Sequence, residues 1–79
     1  MIDITRISQG RLEDSITWCS LYWVNAHGHY DWAIRQKADD KMWYVTKDYA
    51  PEEIILHGPY PSKEAIEMLM VMGMIDPTV

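Results

Sequence analysis

Imidazole and carboxylate side chains come together once in this chain, at His27-Gly28-His29-Tyr30-Asp31. A two-residue step along extended backbone points His27, His29 and Asp31 to one side, and that donor set suits zinc or a similar divalent ion. A tight site needs a third or fourth ligand, and His57 and Cys19 are the remaining candidates. Gly28, free to take positive φ, marks a turn that breaks the assumed extended geometry. The competing reading, exposed hairpin histidines that cap the turn or change charge near about pH 6.5, fits the residues better. No metal or other cofactor is therefore expected, and a small metal-binding protein or enzyme built on His27, His29 and Asp31 stands as the alternative.

Other catalytic chemistry finds little support. Cys19 lies among Trp18, Leu21 and Trp23, an apolar setting that disfavours the reactive thiolate, so it reads as a packed thiol. The carboxylate pairs Glu13-Asp14, Asp39-Asp40 and Glu52-Glu53 fall at expected loops and do not converge by any visible spacing. Gly-rich phosphate loops, a G-x-S-x-G elbow and paired C-x-x-C motifs are all missing from the sequence. The expectation is a non-enzymatic protein.

Three features point to binding instead. Seven Lys and Arg against twelve Asp and Glu give a formal charge of −5, which disfavours direct contact with a nucleic-acid backbone and favours a basic protein partner. Four Trp and five Tyr are too many to point one way from a small sheet, and such residues anchor interfaces. Met68, Met70, Val71 and Met74 lie outside the expected core stripe of a C-terminal helix, and methionine adapts to many contact surfaces. The residues expected to meet a partner are Glu13, Asp14, Asp39, Asp40, Tyr49, Glu52, Glu53, Met70 and Met74. Carboxylates on a compact sheet could imitate a phosphate row and fill a basic nucleic-acid groove. That character is shared with phage and mobile-element inhibitors of host nucleic-acid-targeting defence complexes (anti-CRISPR-like), an analogy of character alone. A homodimeric accessory protein, paired through the Met-rich helix, is a further alternative.

These residues need elements to hold them. At 79 residues the chain makes one small α+β domain, with room for one sheet and one or two helices. Gly58-Pro59-Tyr60-Pro61-Ser62 reads as extended backbone leading to a helix N-cap, followed by a helix from about Lys63 to Met72 and a left-handed cap at Gly73. Ala65, Ile66, Leu69 and Met72 share its expected core face, opposite Lys63, Glu64 and Glu67. Ahead of it, strands are expected at 16–24, 30–37, 41–47 and 53–57, with a loop from Asp48 to Pro51. Residues 16–24 admit a helix as well, capped by Asp14 or Ser15. In 30–37, Tyr30, Trp32 and Ile34 face inward and Asp31, Arg35 and Lys37 outward. Residues 1–15 fit a short strand or a loose helix equally.

Short connections favour an antiparallel meander of three or four strands with the C-terminal helix packed on one face. A single cysteine cannot form an internal disulfide, the N-terminal residues lack the apolar core of a signal peptide, and no run approaches membrane-spanning length. The expected setting is intracellular (cytoplasmic).

Overall fold

The computed structural model describes residues 6–12, 16–26, 28–49 and 52–77. Among these residues five strands follow one another in space as they do in sequence: β1 (Ile7–Gln9), β2 (Trp18–Ala26), β3 (His29–Lys37), β4 (Trp43–Tyr49) and β5 (Glu52–Tyr60). Each pairs antiparallel with the next, as short turns require. One helix among the described residues, α1 (Lys63–Val71), follows β5 and packs over β3, β4 and β5. The α+β meander with its C-terminal helix is as expected, but the sheet has five strands rather than three or four. The extra one is β1, where Ile7 sits opposite Val24. Its three residues are too few to show a period, so only the partner strand distinguishes strand from helix.

Local chemistry explains most boundaries. Gly28 takes φ 79°, and its N–H donates to Asn25 Oδ1 at 3.0 Å, so a tight turn joins β2 to β3. Between β3 and β4, the Met42 N–H donates to Asp40 Oδ1 at 2.8 Å while Lys41 adopts φ 60°. Ser62 is extended, with φ −154°, and its Oγ accepts from the Ala65 N–H at 3.1 Å, which caps α1. At the other end Gly73 takes φ 75°, its N–H donates to the Met70 carbonyl, and the Met74 N–H donates to the Leu69 carbonyl. Together these two bonds form a Schellman motif that satisfies the last carbonyls and reverses the chain.

Between α1 and the sheet, Val24, Ile34 and Val45 meet Ile66, Met70 and Ile75, all essentially without solvent contact. Burying each such side chain contributes about 1.5–3 kcal/mol. Tyr22 and Trp43 extend this layer, and the Lys63 Nζ lies 4.8 Å above the Tyr22 ring. The opposite face of the sheet is also covered. There Arg35, only 5% exposed, sits within 6 Å of the Trp18 and Trp23 ring centroids, with Asp48 at 3.0 Å from its Nη2. Trp18 meets Tyr44 edge-on in the same layer.

Several expectations need correcting. The strand expected at 16–24 is found, shifted two residues to 18–26 as β2, which leaves Ile16 exposed in a turn. Asp48 and Tyr49 belong to β4 and Glu52 to β5, not to a loop. Tyr30 is exposed, because it lies at the end of β3 beyond the helix's cover, and Arg35 is buried by aromatic neighbours remote in sequence. On α1, Met70 is fully buried and Met72 exposed, the reverse of the expected stripe. The helix is turned so that Ile66 and Met70, one turn apart, point at the sheet together.

Candidate docking surface on the helix

Facing away from the sheet, α1 carries Met68 at 60% exposure, Met72 at 59% and Val71 at its margin, with Met74 at 67% just past the Schellman turn. Residues 68, 71 and 72 are neighbours on one helical surface by their i, i+3 and i+4 spacing. The turn at Gly73 explains the fourth member. It sends Ile75 back into the core, and Pro77 is buried after it, while Met74 stays at the apex. A helix of this size that keeps apolar residues on both its inner and outer faces lacks the polar outer stripe of an ordinary surface helix.

Along α1 and the residues that follow it, charge is one-sided. Glu64 is exposed one turn before Met68 on the same stripe, and no Lys or Arg follows Lys63 in the sequence. Lys63 itself is bound to Glu67, the principal cause of its pKa being raised, and also lies over Tyr22. The last turn of α1 holds no basic side chain, so the negative end of the helix dipole has no cation beside it there.

A second apolar exposure lies on β5, the outer strand of the sheet, where Ile54, Ile55 and Leu56 follow one another in the open. Bare edges invite pairing with other chains, and this one is blunted. Register shifts interrupt its ladder with β4 around Leu56 and again before Tyr60, and Pro59, after a cis peptide bond, has no N–H to offer. Gly58, at φ 136°, lets this irregular strand lie against Tyr44, since a Cβ there would stand 2.5 Å from the Tyr44 ring.

The residues singled out from sequence fall in different places. Met74 belongs to the helix surface, and Met70 is removed from it by burial in the core. Asp39 and Asp40 are exposed at the β3–β4 turn, but Asp40 is occupied structurally: Tyr44 donates its hydroxyl to Oδ2 at 2.6 Å and Met42 its N–H to Oδ1. Those bonds, Tyr44's first, hold the Asp40 carboxyl below its ordinary pKa, and the same Asp40 contact pushes the Tyr44 hydroxyl up. Tyr49 ends β4, and Glu52 and Glu53 begin β5 directly opposite, with Tyr49 paired to Glu52 and Asp48 to Glu53. Glu13 and Asp14 lie outside the described residues, as does His27.

Metal chemistry gains nothing from this arrangement. Asp31 faces Lys47 at 3.9 Å, and His29 is exposed at the start of β3. His57 pairs with Val45 and so stands level with Ile34, two strands away and five residues along β3 from His29, about 17 Å at the usual strand rise. Among the described residues no three His, Cys, Asp or Glu side chains gather where they could hold an ion. Cys19 is half-buried and its thiol lies 3.2 Å from Gln36 Oε1, an acceptor it shares with Ser20. Among the described residues, no helix is long and apolar enough to cross a membrane.

Sequence reasoning placed Met68 outside the core stripe, where it is found, but set Met72 on that stripe and Met70 off it, because apolar side chains occur at most positions from 65 to 72 and blur the helical period. Comparison with protein-family models, curated proteins and solved structures finds no match, so the surface is read from its own chemistry.

Proposed function

We propose that the chain is a non-enzymatic binding protein that acts by occupying a partner protein's surface. The observation that carries this reading is the apolar outer face of α1, where Met68, Met72 and Met74 stand in solvent at 59–67% exposure. Methionines in that position offer adaptable contact area, and burying them on a partner would return apolar surface to a dry environment. The formal charge of −5 directs the protein toward a basic partner, including one whose basic surface otherwise holds nucleic acid. Inhibition of a host nucleic-acid-targeting defence complex by masking, as anti-CRISPR-like proteins of phages and mobile elements do, is the specific form of this proposal. It is supported by charge and size and by analogy of character.

The test is capture from host lysates by the immobilised chain, beside a Met68→Ser/Met74→Ser variant of identical charge, with elution in rising salt. The expected result is one nucleic-acid-binding protein or complex, released by salt and lost with the variant, because screened charges and missing apolar contacts both weaken docking. Equal capture by both chains would remove the helix surface from the function.

A further inference from the structure

We infer that the occupant of the outer α1 face is a cationic amphipathic helix of the partner protein, an inference that rests on the binding reading above and specifies its chemistry. Three observations select it. Met68 lies 160° round the helix from both Ile66 and Met70, so it points squarely away from the core, with Val71 and Met72 within 60° on either side. This is a convex ridge whose backbone hydrogen bonds are already made within the helix. It can accept side-chain packing from another helix but cannot add a strand.

Charge then decides between a second copy and a foreign helix. Glu64 stands on the same stripe as Met68, Lys63 is engaged by Glu67, residues 64–79 hold no Lys or Arg, and the last turn of α1 supplies no basic side chain to the dipole's negative end. A second copy would bring the same acidic ridge and a further charge of −5. A helix carrying Leu-like residues along one stripe and Lys or Arg on its flanks meets both the methionines and the Glu64 carboxylate and helix C-terminus beside them.

Calorimetric titration with synthetic 18-residue peptides tests this on the full chain. One peptide has Leu and Lys at helical amphipathic spacing, a second has the same residues scrambled, and a third replaces every Lys by Glu. The amphipathic Leu/Lys peptide is expected to bind with Kd on the order of 10 μM. The scrambled peptide should bind at least tenfold more weakly and the Leu/Glu peptide not at all. A Met68→Ser/Met72→Ser/Met74→Ser chain, unchanged in charge and checked for an unchanged thermal melt, should lose at least tenfold, and Glu64→Gln about threefold.

Equal binding of the scrambled peptide, or full affinity in the triple-serine chain, would show general charge attraction and overturn the inference. Light scattering that finds a dimer converted to monomer by the serine substitutions would replace the foreign helix by a second copy. If the serine substitutions abolish lysate capture while the amphipathic peptide fails to bind, the binding reading stands and the helical occupant falls.

Discussion

Arg35 shows how much a single position depends on its surroundings. Its guanidinium is nearly removed from solvent, beside two indole rings and 3.0 Å from the Asp48 carboxylate, which is one-third exposed. Removing Asp48 takes a compensating charge from a desolvated guanidinium, so Asp48→Ala should cost about 2–3 kcal/mol in urea denaturation. An Arg35→Met/Asp48→Leu double substitution should recover most of that loss, because it removes both charges and keeps the packing. Met70 and Met68, two residues apart, should behave oppositely. Met70→Ala empties a fully buried site and should cost about 2–4 kcal/mol, whereas Met68→Ala should change stability by less than about 0.5 kcal/mol.

The Asp40–Tyr44 hydrogen bond gives a pH dependence of definite sign. A carboxyl whose pKa is lowered on folding stabilises the protein above its ordinary value of 3.8 and loses that contribution as pH falls through the folded value beneath it. A phenol whose pKa is raised stabilises below its ordinary value of 10.0 and loses that contribution as pH rises through the folded value. The stability difference between the wild-type chain and Tyr44→Phe should therefore be constant from about pH 5 to 9. It should narrow below 3.8 and again above 10.0 in chemical denaturation across pH.

Among the elements, β5 and α1 form a continuous device. Extended backbone runs through Pro59 and Tyr60 to the Ser62 cap, so the end of the edge strand sets where the helix begins. Ser62→Ala should cost about 1 kcal/mol through the lost cap. Gly58→Ala should cost more, because the backbone is left-handed there and the added Cβ would collide with the Tyr44 ring and crowd the Trp43 carbonyl at 3.1 Å. Both are read by thermal or urea unfolding. The limits of α1 were legible in the sequence, since capping is local chemistry within three or four residues. Apart from the end of β3 at Lys37, the ends of the four expected strands were displaced by one to three residues, because they are set by where a neighbour stops pairing.

For the whole molecule, acidity and the uncovered helix face act on different properties. Raising salt from about 0.05 to 0.5 M should leave the fold as stable or slightly more so, as self-repulsion is screened. The same change should weaken capture of a basic partner. Parallel unfolding and binding measurements on one preparation separate the two.

By itself the sequence determined the meander's antiparallel order, the place and caps of the helix, and the acidic balance. Each of these follows from residues near one another in the chain or from a simple sum. The tertiary structure alone decided that β1 is a strand, that Arg35 is inside and Tyr30 outside, and which apolar side of α1 meets the sheet. Ala65 to Met72 is apolar on most of its circumference, so periodicity leaves its rotation open. The seating of Ile66 and Met70 on Val24, Ile34 and Val45, with Ile75 folded back beneath, sets that rotation and turns Met68 and Met72 to solvent.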